Sequence, residues 1–183
     1  MKKIILAAII LFAANNMANA QKIYTKNGHI SFFSKTNMEN IKADNNQVMS
    51  VLNTQSGELQ FSVIIKSFHF EKALMEEHFN ENYLESEKFP KSTFKGVVAG
   101  ISKVNFAADG SYPVTVSGDL TIHGVTNKAT AKGNFTVKTG KTTGYCVFSV
   151  ALADYKIAVP KLVENNISKT IEITVNCLYD QKM

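Results

Sequence analysis

The sequence predicts an all-β fold, an eight-stranded antiparallel barrel with a short helical insertion. Two observations lead to this prediction. After residue 21, apolar and polar residues alternate with period two over most of the chain, which is typical of half-buried strands. Turn signals such as Asp109-Gly110, His123-Gly124 and Thr139-Gly140 separate the alternating runs. Many strands joined by short connections either close into a barrel or fold into a sandwich.

The first 20 residues, MKKIILAAIILFAANNMANA, resemble a secretory signal peptide rather than part of the fold. Lys2 and Lys3 precede an apolar run from Ile4 to Ala14, and Ala18-Asn19-Ala20 fits a cleavage site. The run is too short for a transmembrane helix, which needs about 20 apolar residues. We therefore expect cleavage after Ala20, a mature domain over residues 21–183, and a periplasmic or secreted protein.

The strand of residues 169–179 shows the alternation most clearly. Ile171, Ile173 and Val175 share one face, with Glu172 and Thr174 on the other. The same pattern recurs along the chain. The predicted strands cover residues 28–35, 40–53, 57–66, 91–106, 111–123, 125–137, 144–153 and 169–179.

Two connections between the predicted strands are long. In the first, residues 67–90, the spacing of Leu74, Met75, His78 and Phe79 predicts a short amphipathic helix, which ends before Pro90. In the second, residues 154–168, a helical turn is expected after Pro160.

The charge pattern and the motifs exclude several classes of function. The formal charge is +5, but the chain has no arginine and its lysines are scattered, which argues against a nucleic-acid interface. We see no nucleophile elbow, no phosphate-binding loop and no pair of histidines at metal-ligand spacing. We therefore predict no catalytic residue, metal or cofactor. His123 is expected to form hydrogen bonds in a turn, and His78 to lie on the helix.

Alternation does not say which face of the strands points inward. A transmembrane barrel is apolar outside, but such barrels carry aromatic girdles and this chain has no tryptophan. In the favoured arrangement the apolar faces point inward, and the interior either is filled by side chains or holds one small ligand. Small residues on the predicted inward faces would leave room for a ligand: Gly118, Ala129, Ala131 and Gly133.

Three segments resemble the YceI-like family. They are HFNENYLESEKFPKSTFKG (78–96), GDLTIHGVTNK (118–128) and FSVALADYKIAVP (148–160), and the likeness extends over about residues 28–179. The resemblance implies an exported, lipocalin-like barrel that binds a long isoprenoid chain in its interior. It also implies that the long insertion covers one mouth of the barrel, with Phe79, Tyr83 and Phe89 facing the opening.

The ligand is therefore expected to contact the inward stripe and the lid. We predict the following site residues: Phe61, Val63, Phe94, Val114, Val116, Phe148, Val150, Ile171 and Ile173 in the barrel, with Phe79 and Tyr83 in the lid. The expected partner is a long isoprenoid, of the quinone or polyprenyl type, or a similar apolar lipid, held for transport or sequestration. The alternatives are a filled barrel that binds a protein through its outer surface and, as a third reading, an enzyme on a lipid-like substrate.

Cys146 and Cys177 lie on the predicted inward faces of the last two strands. In an exported protein they could form a disulfide if Phe148 lies near Val175 in the strand pairing. Two buried free thiols explain the pattern equally well.

Overall fold

The computed structural model describes residues 22–183, so the predicted signal peptide lies outside the described residues. The strands are β1 Lys22–Lys35, β2 Asn40–Asn53, β3 Glu58–Ile64, β4 His69–Phe70, β5 Lys91–Ala99, β6 Gly110–Ile122, β7 Val125–Lys138, β8 Lys141–Ala151, β9 Thr170–Tyr179 and β10 Gln181–Lys182. The helix α1 spans Ala73–His78, a π-helical turn spans Phe79–Tyr83, and 3-10 turns span Ile65–Ser67, Ile101–Lys103, Leu152–Tyr155 and Lys161–Val163.

Eight of these strands form a closed antiparallel barrel, as predicted. The order around the barrel is β1-β2-β3-β5-β6-β7-β8-β9, and β9 returns to pair with β1. At the closing seam Ile30 lies opposite Val175 and Phe32 lies opposite Ile173. The short strand β4 pairs with β2 beyond β3, and β10 pairs with β1 beyond β9. Closure leaves no long strand edge unpaired at this seam.

The two largest errors in the predicted strand boundaries, at the end of β5 and the start of β1, each have a local reason. β5 ends at Ala99 rather than at 106, because Gly100 adopts a left-handed conformation and the chain enters a 3-10 turn. β1 begins at Lys22 rather than at 28. Its pairing with β2 shifts register around Gly28, and this irregularity breaks the alternation that the prediction relied on.

The antiparallel order divides the connections between two ends of the barrel. At one end, called the mouth, lie residues 36–39, the turn at 123–124, the lid segment (residues 65–90) and the late loop (residues 152–169). At the other end, the floor, lie residues 54–57, 100–109 and 139–140. Ile101 and Val104 are buried at the floor and join the main core.

The predicted helix of the lid segment is present as α1, and the predicted turn after Pro160 is present at Lys161–Val163. None of the residues of α1 is buried. The helix continues into the π-helical turn, in which the Leu84 amide donates to the Phe79 carbonyl at 2.9 Å. Phe79, at this junction, packs against the barrel core and holds the lid segment in place. No helix within residues 22–183 has the length and apolar character needed to cross a bilayer.

Candidate functional site

The barrel encloses a cavity of about 370 Å³ that runs from the lid segment toward the floor. Its wall is made mainly of aliphatic and aromatic side chains from every strand of the barrel ring. All eleven predicted site residues lie in this wall: Phe61, Val63, Phe79, Tyr83, Phe94, Val114, Val116, Phe148, Val150, Ile171 and Ile173. The location of the nine strand residues follows from the inward-facing alternation, and Phe79 and Tyr83 enter the wall from the lid segment. A role in ligand binding stays a prediction.

The middle of the cavity is shaped by glycines, but not in the way the sequence suggested. Gly96 and Gly118 face each other on β5 and β6, and the Phe94 ring occupies the space above both. A Cβ atom on Gly118 would lie 2.8 Å from Phe94 Cζ. Gly118 therefore leaves no free room, because Phe94 fills it. Three other small residues, Ala129, Ala131 and Gly133, do line the cavity.

The floor of the cavity is closed by Phe135 and Tyr179, both of which are buried. Their rings meet edge to face, with centroids 6.5 Å apart. The Ser50 hydroxyl donates to the Gln60 carbonyl at 3.1 Å, so the Tyr179 hydroxyl, 2.7 Å away, donates to Ser50 Oγ. Burial raises the pKa of Tyr179, so the phenol stays protonated. The Tyr179 hydroxyl, at the floor of the cavity, therefore has its hydrogen-bond partner within the protein and needs none from a ligand.

The lid segment is held by an aromatic cluster that the sequence analysis did not identify. Phe79 packs against Phe32, Phe68 and Phe70, with ring centroids 5.4, 5.6 and 5.1 Å away. All four rings also line the cavity, so the lid anchor and the cavity roof are the same structure. The alternation of Ile30 and Phe32 in β1 was the signal that could have placed Phe32 inside.

Phe89 does not face the opening, contrary to the prediction. Its ring packs edge-on against the His123 imidazole with centroids 4.8 Å apart, and it covers Gly124 at the β6–β7 turn. Gly124 has φ +72°, and any Cβ at that position would overlap the Phe89 ring. The C-terminal part of the lid segment therefore packs against the outer side of the β6–β7 turn, and Phe89 does not line the cavity.

His123 forms hydrogen bonds, as predicted, but its partners lie in the lid segment and the late loop rather than in its own turn. Its Nε2 lies 2.6 Å from Glu85 Oε2 in the lid segment, and its Nδ1 lies 3.2 Å from the Tyr155 carbonyl in the late loop. Both partners are hydrogen-bond acceptors. The His123 side chain thus links three segments at the mouth, namely the β6–β7 turn, the lid segment and the late loop.

A second polar cluster lies on the rim of the cavity. Glu39 Oε1 lies 3.0 Å from Lys72 Nζ, and Asn166 Nδ2 donates to Glu39 Oε2 at 3.4 Å. Glu39, His78 and Asn166 all contribute to the cavity wall, and His78 is exposed on α1. The sequence gave no local signal for this cluster, because its members are up to 127 residues apart.

The late loop closes a gap in the barrel wall. The pairing of β7 with β8 ends at Gly133 and Cys146, although both strands continue toward the mouth. The 3-10 turn Leu152–Tyr155 lies against both strands there, and Asn127 Nδ2 donates to the Asp154 carbonyl at 2.7 Å. Tyr155 is buried and Leu152 lines the cavity.

The two cysteines are free thiols in the structure. The register on which a disulfide would depend is not present, since Phe148 lies opposite Ile173 and Cys146 lies opposite Val175. Cys177 is then a diagonal neighbour of Cys146, and diagonal side chains in a sheet are too far apart for a disulfide. Burial raises the pKa of Cys146 to about 11 and that of Cys177 to about 12. Cys146 lines the cavity.

The chemistry available in this site is mainly that of an apolar container. Within residues 22–183 no three side chains among His, Cys, Asp and Glu lie close enough to hold a metal ion. The polar groups of the wall lie mostly at the rim, and the groups below the lid segment are mostly apolar. Such a cavity suits a long apolar ligand with its polar end at the mouth.

Comparison with known proteins agrees with this geometry. A model of the YceI-like domain family matches residues 17–178. A polyisoprenoid binding domain from Saccharophagus degradans, implicated in plant cell wall breakdown, superposes with a TM-score of 0.76 at 16% identity, covering 88% of this chain and 98% of that one. BcnA from Burkholderia cenocepacia gives 0.65 at 14% identity, over 82% and 95% of the two chains.

A YCEI protein from Campylobacter jejuni gives a TM-score of 0.60 at 17% identity, over 79% of this chain and 87% of that one. At these identities the likeness shows the fold. No curated protein matches the sequence.

Proposed function

Because the chain belongs to the YceI-like family, we propose that it is an exported carrier that holds the apolar chain of an isoprenoid lipid inside the barrel. The carrier would serve transport or sequestration of the lipid in the periplasm or outside the cell. The observation that carries the proposal is the apolar cavity, whose wall includes the nine residues predicted from the strand alternation together with Phe79 and Tyr83 of the lid segment.

The energetics of burial support an apolar chain as the ligand. Burying one CH₂ group is worth about 0.8 kcal/mol, so four isoprene units would contribute on the order of 16 kcal/mol. Association costs roughly 4–15 kcal/mol. Binding therefore stays favourable without a charged contact, and the specificity for the head group depends on the rim.

The choice of an isoprenoid chain is supported by the similar structure from Saccharophagus degradans, which is a polyisoprenoid binding domain. The alternative of a filled barrel is disfavoured by the cavity itself. We propose no catalytic step, because the YceI-like fold is a binding fold and His123, the histidine with the most contacts, is committed to Glu85 and Tyr155.

Native mass spectrometry of the protein purified from its own source, followed by organic extraction, tests the proposal. We expect a co-purifying mass in the quinone or polyprenyl range. A ligand-free mass that does not change after incubation with isoprenoid quinones or polyprenols would overturn the proposal.

Matched variants on adjacent residues test whether the cavity is the site. Ala131 lines the cavity and Lys132 is exposed on the outer face of the same strand. We expect Ala131→Phe to block loading and Lys132→Phe to load normally. Phe148→Asp against Val147→Asp makes the same comparison on β8, with Val147 39% exposed. Normal loading of folded Ala131→Phe and Phe148→Asp would place the ligand elsewhere.

A further inference from the structure

Three of the four most exposed large apolar side chains within residues 22–183 lie at the mouth. Leu162 is 95% exposed, Met38 is 73% exposed and Leu74 is 61% exposed. Within residues 22–183 the last residue, Met183, is 64% exposed at the other end of the barrel, and every remaining large apolar side chain is at most half exposed. Full exposure of a large apolar side chain is unfavourable in water, and such residues often mark an interaction site.

These three residues surround the cavity opening. Each one is adjacent in the chain to a residue of the cavity wall: Met38 to Glu39, Leu74 to Met75, and Leu162 to Val163. The floor connections differ, since Ile101 and Val104 are buried there. The side chains of Met38, Leu74 and Leu162, here called the apolar tips, are therefore a feature of the mouth and not of the floor connections.

The tips are held on a connected rim. Glu39 bonds to Lys72, which precedes α1, and to Asn166 of the late loop, at 3.0 and 3.4 Å. The three connections that carry Met38, Leu74 and Leu162 are thereby joined through one carboxylate. These contacts link the three connections across the opening.

The charges around the rim are not uniform. Beside Met38 and Leu162, the exposed charged residues are Lys35, Lys161, Lys169 and Glu164, a net positive set. The lid segment around Leu74 is acidic instead, with Glu71, Glu77 and Glu81 exposed. The Met38–Leu162 side thus combines apolar tips with cationic surroundings, which suits the surface of an anionic bilayer.

We propose that the mouth docks on an anionic lipid bilayer, with Leu162 and Met38 inserted at the interface and the acidic part of the lid segment turned away from it. The proposal rests on the proposed function, since docking would let an apolar chain pass between membrane and cavity without crossing water. The lysine side chains would extend toward the lipid phosphates while their methylene groups cover the apolar tips.

Tryptophan fluorescence tests the docking directly, because the protein contains no tryptophan. In Leu162→Trp the emission should shift to the blue on addition of phosphatidylcholine vesicles with phosphatidylglycerol, and less with phosphatidylcholine alone. Val97→Trp, at a half-exposed position on the barrel wall, is the control and should not shift. An unshifted Leu162→Trp, or equal shifts in the two proteins, would overturn the proposal.

A second measurement separates docking from loading. The double variant Met38→Asp with Leu162→Asp should weaken vesicle co-sedimentation on the order of tenfold. Loading of the same variant from detergent micelles should remain that of the unmodified protein, since neither residue lines the cavity. Unchanged sedimentation would contradict docking alone, whereas failure of the unmodified protein to load from micelles would contradict the carrier function itself.

Discussion

The imidazole Nε2 of His123 lies 2.6 Å from Oε2 of Glu85, and this contact joins the β6–β7 turn to the lid segment. His123 is largely buried, with 12% of its side chain exposed, while Glu85 is 43% exposed. The two residues are 38 positions apart in the sequence. The return of the lid segment is therefore fixed to the barrel at a point outside the cavity.

We expect Glu85→Gln to loosen the lid segment. The neutral amide weakens a charge-assisted hydrogen bond, and the loss should lower the free energy of unfolding by about 1 kcal/mol. Urea denaturation measures this loss, and release of a preloaded lipid should become faster. Glu87→Gln is the matched control, because Glu87 pairs with Lys66 but is 89% exposed. Equal effects of the two substitutions would contradict the role assigned to His123.

Removal of the Phe79 ring should open the roof of the cavity. The ring contacts three other phenylalanines, and its loss should destabilise the protein by about 2–3 kcal/mol. In Phe79→Ala we expect faster proteolysis within residues 71–88. Leu74→Ala in α1, the helix just before Phe79, should change neither quantity, since Leu74 is exposed. An unchanged cleavage rate in Phe79→Ala would mean that the ring does not anchor the lid segment.

Gly118→Ala should destabilise the barrel. The added Cβ would overlap the Lys95 carbonyl oxygen and the Gly96 Cα as well as approach the Phe94 ring. Overpacking of this kind costs about 1–3 kcal/mol. Because two of the clashes involve backbone atoms, the additional change Phe94→Ala should not restore stability in thermal unfolding. Ser117→Ala, on the exposed outer face, is the control. Full recovery of thermal stability in the double variant would show that only the Phe94 ring, and not the backbone contacts, requires glycine at position 118.

Alkylation of Cys146 should be slow at neutral pH and should report on the cavity. With a pKa of about 11, the thiol is about one part in a thousand thiolate at pH 8. The rate with iodoacetamide should rise about tenfold per pH unit below pH 11, because the thiolate is the nucleophile. Bound lipid should protect Cys146, which lines the cavity, and Cys146→Ala should remove the signal. Labelling that a bound lipid does not slow would contradict occupancy of the cavity next to this thiol.

The sequence was sufficient for the barrel and for much of its wall. Alternation identifies the inward face of a strand without any knowledge of its neighbours, so Val116, Phe148 and Ile173 could be placed inside. The amphipathic spacing around Met75 was likewise enough for the helix of the lid segment. These features depend on local periodicity, which a sequence contains directly.

The features that were missed depend on contacts between distant segments. Gly118 looked like free space, because only the structure reveals that Phe94 of the neighbouring strand fills it. The choice between a disulfide and two free thiols could not be made from the sequence, because a shift of strand register by two residues keeps the same alternation. Phe89 was assigned to the opening because nothing local indicated its contact with His123.

The lid segment leaves and rejoins the barrel at one place. Ile64 is paired with Lys91, and the Ile65 amide donates to the Pro90 carbonyl at 3.0 Å. Strands β3 and β5 are therefore a β-hairpin, and the whole lid segment is its loop. The entropy of closing a loop grows only slowly with its length. This loop can thus lengthen, shorten or change composition without altering the strand register below it, so that one barrel can be fitted with different covers.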